Sequence, residues 1–216
     1  MKKEIFKSGP ENKLGYFVYL PEDYSGENKY PLIVSLHGAG ERGNGSSELE
    51  NVNNIGFGRY FKEKLMELPC IVLCPQCPAD NVWTHLIDEL KELILKIEDS
   101  YSVDTSRVSI TGMSMGGYGS WEMGMTFPEM FSAVAPICGG GMAWRAGALR
   151  GKPVWAFHGE IDNVVNINES REMVERAHAG GANVKFTIFW GVQHNSWDPA
   201  YLDTKVIDWL IAQKNG

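Results

Sequence analysis

Short apolar, β-rich runs alternate along this chain with stretches that have helical spacing. The apolar runs, which predict strands, cover residues 14–20, 31–36, 71–73, 108–111, 131–137, 153–158 and 184–189. The stretches between them, which predict helices, cover residues 57–68, 86–100, 115–127, 168–179 and 200–213. Alternation of this kind is typical of right-handed βαβ units. It predicts an α/β fold with a doubly wound, mostly parallel sheet, helices on both faces and an edge strand at 14–20.

Length and composition limit the classes of protein that fit this pattern. A chain of 216 residues, 44% hydrophobic and 22% charged, can bury one substantial core, which predicts a single domain over residues 1–216. The net charge of −7 argues against a nucleic-acid partner, and no apolar run is long enough to span a membrane. We expect a cytoplasmic protein, although removal of a leader would give a secreted one with the same sequence. The oligomeric state cannot be predicted.

The four cysteines raise the question of a redox pair or a metal site. Cys74 and Cys77 have the spacing of half a zinc site, and Cys70 and Cys138 are the remaining two. Because a structural zinc ion usually needs four ligands and no second pair completes the set, we expect free, buried thiols. We therefore predict no metal ion and no cofactor.

The run at 108–111 leads into a glycine-rich segment with one serine. The segment reads Gly-Met-Ser-Met-Gly-Gly over residues 112–117, and a predicted helix follows. A GxSxG pattern between a strand and a helix is typical of a nucleophile elbow, in which flanking glycines let the chain reverse tightly. Ser114 is therefore the predicted nucleophile.

A serine nucleophile needs a histidine base, and three histidines follow Ser114 in the chain. His194 lies after the last predicted strand, where the base belongs in this order of residues. His158 ends a predicted strand and is expected to be structural, whereas His178 falls inside a helix and is expected at the surface. We predict that His194 is the base.

The third member of such a site is a carboxylate that orients the histidine. Asp162 and Glu160 both follow the predicted strand at 153–158. Asp162 is preferred because its short side chain lies in an Asp-Asn turn, anchored by the apolar residues that follow. Glu160 is the alternative.

Acyl transfer also needs backbone N–H groups that stabilise an oxyanion. Met115, directly after the predicted nucleophile, supplies one by its position. The loop after the strand at 31–36 supplies the second, from Ala39 or alternatively from Gly40. His37 and Arg42 in the same loop are expected to be structural.

The motifs in combination resemble one known family. They are HGAGERG at 37–43, CPQCP at 74–78 followed by Trp83, GMSMGG at 112–117, FHGEIDNVV at 157–165 and QHNSW at 193–197. The chain is similar to the phospholipase/carboxylesterase group of the α/β-hydrolase superfamily, and to compact esterases such as the thermophilic esterase A and the feruloyl-esterase-like and polyhydroxybutyrate-depolymerase-like enzymes. This resemblance implies a triad of Ser114, Asp162 and His194, with an oxyanion hole at Ala39 and Met115.

These observations predict a carboxylic ester hydrolase that forms an acyl-enzyme. Short-chain or aromatic esters, feruloyl and acetyl esters included, are the expected substrates, as small molecules or linked to a polysaccharide. Gly40, Trp83 and Trp197 are candidate substrate-binding residues. The segment between the strands at 131–137 and 153–158 is too short for a lid domain. A thioesterase, a lysophospholipase, a prolyl-oligopeptidase-like peptidase and a non-catalytic binding module are the alternatives.

Overall fold

The computed structural model describes residues 1–215, and eight strands in it form one sheet. In chain order the strands are β1 (Lys2–Phe6), β2 (Tyr16–Leu20), β3 (Tyr30–Leu36), β4 (Ile71–Pro75), β5 (Val103–Met113), β6 (Ala133–Ile137), β7 (Pro153–Gly159) and β8 (Asn183–Phe189). Their order in the sheet is β1-β2-β4-β3-β5-β6-β7-β8. Strands β3 to β8 are parallel, and β2 pairs antiparallel with both β1 and β4.

Five α-helices cover the two faces of this sheet. They are α1 (Gly56–Lys62), α2 (Ile87–Ser100), α3 (Met115–Thr126), α4 (Ile167–Ala179) and α5 (Val206–Ala212). Helices α2, α3 and α4 pack into one buried cluster, and α1 and α5 pack into a second cluster. This confirms the doubly wound, mostly parallel α/β architecture predicted from the alternation.

Helix α2 shows how the pattern determines the packing. Leu90, Leu93, Ile94 and Ile97 recur at helical spacing, and each is buried against the sheet. Burying a side chain of this size contributes about 1.5–3 kcal/mol relative to leaving it exposed. The charged residues between them lie largely on the opposite face, as expected for an amphipathic helix.

The chain order places a switch point at β3. From β3 the chain moves to β4 on one side and then to β5 on the other, so the loops after β3 and β5 separate at the carboxyl edge of the sheet. Such a point is where doubly wound sheets bind their ligands. The loop after β3 and the turn at Ser114 lie at this point.

Several boundaries differ from the prediction. Strand β1 was not predicted, and it replaces the run at 14–20 as the edge of the sheet; all five residues of β2 are buried.

The ends of two predicted helices also differ. Helix α1 ends at Lys62, and Lys64 has a positive φ of 56°. The predicted helix at 200–213 is divided into a π-helical turn, Pro199–Asp203, and α5. Thr204 separates them, since its hydroxyl donates to Ala200 O and accepts the N–H of Val206.

Two further features bear on the predicted absence of a lid and of a membrane span. Between β6 and β7 the chain forms only a 3-10 helix, Ala143–Leu149, which packs against α4. Within residues 1–215, none of the helices combines the length and the apolar character that crossing a bilayer requires.

Candidate active site

Ser114 lies in a strained turn between β5 and α3. Its φ of 53° and ψ of −117° are far from the conformations that residues with a side chain normally adopt. Strain of this kind costs about 1–3 kcal/mol and persists where the surroundings enforce it. The turn exposes the Ser114 side chain partly at the carboxyl edge of the sheet.

The glycines beside Ser114 are required by close approach of backbone segments. A Cβ at Gly116 would lie 2.0 Å from Leu36 O, and one at Gly112 would lie 2.4 Å from Gly116 O. Neither contact can be relieved by rotation of a side chain, because both partners are backbone atoms. The GxSxG spacing therefore reflects the packing of this turn against β3.

His194 and Asp162 lie in line with Ser114. His194 Nε2 is 2.9 Å from Ser114 Oγ, and His194 Nδ1 is 2.7 Å from Asp162 Oδ2. The three residues come from the loops after β8, β7 and β5, which meet at the same edge of the sheet. The structure thus brings together the three residues predicted from the sequence.

The environment of Asp162 keeps its carboxylate ionised. Burial disfavours the charged form, but hydrogen bonds from His194 and from the N–H groups of Val164 and Val165 outweigh burial and hold the pKa of Asp162 below its usual value. An ionised Asp162 accepts a hydrogen bond from Nδ1 of His194 and leaves Nε2 free to accept one from Ser114. This tautomer is the one that a general base requires.

The alternative residues have other partners. Glu160 accepts a hydrogen bond from the N–H of Gly191. His158 is fully buried, with Nδ1 2.7 Å from Ser170 Oγ and Nε2 3.0 Å from Val165 O. Burial lowers the pKa of His158 despite its position 3.2 Å from Asp162. His178 is exposed on α4.

Two backbone N–H groups beside Ser114 belong to the first residues of helical segments. Met115 is the first residue of α3, and Ala39 begins a 3-10 turn, Ala39–Glu41, after β3. N–H groups in the first turn of a helix have no partner within that helix. A Cβ at Gly38 would lie 3.9 Å from Cβ of Ser114, so the two segments are adjacent. Gly40 is the second residue of the same 3-10 turn, so its N–H is an equal candidate for the second oxyanion donor.

His37 and Arg42 hold the loop after β3 in place. His37 Nε2 accepts the N–H of Cys77 at 3.0 Å, and burial lowers the pKa of His37 to about 4. Arg42 donates to Ala39 O at 2.9 Å. Among the hydrogen bonds of residues 1–215, neither side chain forms one with Ser114, which is consistent with the structural roles expected for them.

A shallow apolar depression lies beside Met115. It has a volume of about 320 Å³ and is lined by Val82, Trp83, Thr84, Met115 and Tyr118. Trp83 has no exposed surface and donates its indole N–H to His37 O at 2.9 Å, so it supports the depression from beneath. Tyr118 was not singled out from the sequence, although its position four residues after Ser114 places it on the same face of α3.

Trp197 lies beside His194. Its ring is nearly perpendicular to the imidazole, with centroids 5.5 Å apart, and it is partly buried against the core. The Trp197 ring therefore limits the movement of the His194 imidazole.

The described residues include one close group of metal-ligand types, Cys138, Asp162 and His194. Asp162 and His194 are hydrogen-bonded to each other in this group. Burial raises the pKa of the Cys138 thiol to about 12, and only a thiolate binds metal well. The group is therefore poorly suited to hold a metal ion.

Comparison with known proteins identifies the family. The model of the Esterase family, described as "Putative esterase", matches residues 8–187. Feruloyl esterase D of Neurospora crassa is 26% identical over 167 residues, covering 74% of this chain and 57% of that protein. S-formylglutathione hydrolase of Paracoccus denitrificans is 32% identical over 112 residues, covering 50% of this chain and 37% of that protein.

Solved structures extend the comparison. The crystal structure of a thermostable esterase is 34% identical, with a TM-score of 0.81 over 99% of this chain and 63% of that chain. The feruloyl esterase module of Clostridium thermocellum, at 19% identity and a TM-score of 0.71, shares the fold. The chain spans 37% and 57% of the two curated relatives above. The resemblance to α/β-hydrolase esterases is confirmed, and the chain belongs to the Esterase family.

Proposed function

We propose that this protein hydrolyses carboxylic esters, with Ser114 as nucleophile, His194 as general base and Asp162 as the group that orients His194. The observation that carries the proposal is the hydrogen-bonded series from Ser114 Oγ through His194 to Asp162, which begins at a strained elbow. Membership of the Esterase family supports it. The single eight-stranded sheet supports residues 1–216 as one catalytic domain.

The reaction would proceed in two halves. As Ser114 Oγ attacks the ester carbonyl, His194 Nε2 takes its proton, and the negative charge on the carbonyl oxygen is stabilised by the N–H groups of Met115 and of Ala39 or Gly40. Collapse of this intermediate expels the alcohol, which receives the proton from His194. Water, deprotonated by His194, then attacks the acyl-enzyme and releases the acid, and the proton returns to Ser114.

The surroundings of the site support a preference for small or flat acyl groups. The depression beside Met115 is apolar and shallow, and no separate lid covers it in residues 1–215. Feruloyl and acetyl esters fit these limits, and relatives named feruloyl esterase and acetylxylan esterase support the same class. Trp83 is proposed to shape this depression from beneath, whereas Gly40 and Trp197, which do not line it, are proposed as further substrate contacts.

A second candidate is thioester hydrolysis, favoured by the similarity to S-formylglutathione hydrolase. The same nucleophile would attack a thioester carbonyl and release a thiol instead of an alcohol. A panel of feruloyl, acetylxylan, lysophospholipid and thioester substrates, compared by kcat/KM, separates these classes.

Replacement of the nucleophile tests the proposed site. Ser114→Ala should lower kcat toward p-nitrophenyl butyrate on the order of 10⁴- to 10⁶-fold, because the base then has no hydroxyl to activate. It should also abolish covalent labelling by a fluorophosphonate. Ser100→Ala, at an exposed helix end, is the control and should keep wild-type rates and labelling. A folded wild-type protein that is neither active nor labelled would refute the proposed function.

A further inference from the structure

The loop that carries His194 is attached to helix α1 through Asp198. Asp198 Oδ1 accepts hydrogen bonds from Arg59 Nη2 and from the Tyr60 hydroxyl, each at 2.6 Å. Arg59 and Tyr60 are adjacent residues of α1, more than 130 positions away in the chain. A carboxylate held by two such donors makes strong, charge-assisted hydrogen bonds.

The second oxygen of Asp198 holds the loop itself. Asp198 Oδ2 accepts a hydrogen bond from Asn195 Nδ2 at 3.0 Å, and Asn195 Oδ1 accepts the N–H of Asp198 at 3.3 Å. Burial disfavours the charged form of Asp198, but its three side-chain donors outweigh burial and keep its pKa below the usual value. Asp198 is therefore ionised at neutral pH, and both of its carboxylate oxygens accept hydrogen bonds.

The segment from His194 to Asp198 is a compact turn. The N–H of Ser196 donates to His194 O at 2.7 Å, and the Trp197 ring packs edge-on against the imidazole. A displacement of Asp198 would therefore move the backbone and the ring of His194. Within residues 1–215, Asp198 forms no hydrogen bond with Ser114.

Helix α1 also contacts the strand that precedes the nucleophile. Its first residue, Gly56, has a φ of 55°, and a Cβ there would lie 2.6 Å from the Cε atom of Met113. Met113 directly precedes Ser114. The Phe57 ring of the same helix packs against Tyr201, with centroids 4.8 Å apart. One short helix thus touches both the elbow and the segment that follows His194.

We propose that Asp198, held by Arg59 and Tyr60, is a positioning residue that sets the distance between His194 and Ser114. This inference rests on the proposed function, since it concerns the same base and nucleophile. Asp198 does not touch the reacting atoms, and its effect is exerted through the turn that holds His194. Helix α1 is the fixed support to which that turn is attached.

The test compares Asp198→Ala, Asp198→Asn and Tyr60→Phe with the wild-type protein. For Asp198→Ala we expect a 10- to 100-fold fall in kcat toward p-nitrophenyl butyrate, of the order that misplacement by about 1 Å produces, with a smaller change in KM. The rate of fluorophosphonate labelling should fall in parallel. The downfield NMR resonance of the proton between His194 and Asp162 should shift or broaden, which loss of stability alone would not cause in a folded variant.

Tyr60→Phe removes one donor without creating a cavity and should give an intermediate fall in kcat. Asp208→Ala is the control, because Asp208 is an exposed carboxylate that pairs with Lys205 at 3.6 Å on α5 and should leave all three readouts unchanged. Wild-type kcat and an unchanged NMR resonance in both Asp198 variants would overturn the inference. If Asp198→Ala fails to fold, wild-type kcat in Asp198→Asn and Tyr60→Phe would overturn it. Absence of labelling in the wild-type protein would instead refute the proposed function.

Discussion

Close backbone packing around Ser114 makes the flanking glycines intolerant of substitution. Gly116→Ala would place a Cβ 2.0 Å from Leu36 O, so the turn or β3 must shift. We expect the free energy of unfolding to fall by about 1–3 kcal/mol or more, as overpacking usually causes. Urea unfolding measures this change.

Gly147→Ala is the matched control for Gly116→Ala. Gly147 also lies in a helical segment, and a Cβ there meets no atom within 4 Å. Its stability should equal or slightly exceed that of the wild-type protein, since alanine favours helix. Equal stabilities of the two variants would show that the clash at Gly116 is relieved by small shifts.

The residues of the site differ in how far the sequence reveals them. Ser114 is predicted because its pattern stands between a strand and a helix, and His194 and Asp162 follow from the order of strand ends. Asp198 is not predicted, because nothing near it indicates partners on a helix more than 130 residues away. Trp83 is predicted as a substrate-binding residue; it lies in the lining of the depression beside Met115, and its indole N–H donates to His37 O.

At the scale of elements, the interior strands are predictable because they are continuous apolar runs buried on both faces. The edge is not. Strand β1 has the sequence KKEIF, and its polar residues give no pattern that distinguishes a strand from a loop. Its pairing with β2, together with the stacking of Phe6 on Tyr16, makes it a strand. Helix boundaries are also missed because they depend on contacts that the sequence pattern does not show. The break before α5, for example, depends on the two hydrogen bonds of the Thr204 hydroxyl.

Removal of β1 tests its role as the edge. Deletion of residues 1–7 should expose the unpaired backbone of β2, whose side chains are all buried in the intact protein. An exposed, apolar edge strand favours aggregation, so we expect faster loss of soluble protein on warming, measured by light scattering. Ile5→Lys, at a half-exposed position, keeps the strand and should not aggregate faster. If the deletion variant stays soluble on warming as well as Ile5→Lys does, β1 is not the strand that protects the edge of β2.

For the whole molecule, the sheet divides the core into two clusters, and the cysteines are distributed between them. Cys74 lies in the cluster with α1 and α5, whereas Cys77 lies in the cluster with α2, α3 and α4. The two thiols of the C-x-x-C pattern therefore lie on opposite faces. All four cysteines are free and buried, as expected from the sequence.

This distribution predicts how the thiols react. Burial raises the pKa of Cys74, Cys77 and Cys138 to about 12, so at pH 8 only on the order of one thiol in 10⁴ would be ionised. We expect no rapid reaction of the native protein with a thiol-specific disulfide reagent, and reaction of all four cysteines after unfolding in guanidinium. Two reactive thiols in unfolded, unreduced protein would reveal one disulfide, and peptide mapping would show whether it joins Cys74 and Cys77. A disulfide would require the end of β4 to leave its place beside β2 and β3, and the loop with His37 would move with it because Cys77 donates its N–H to that histidine.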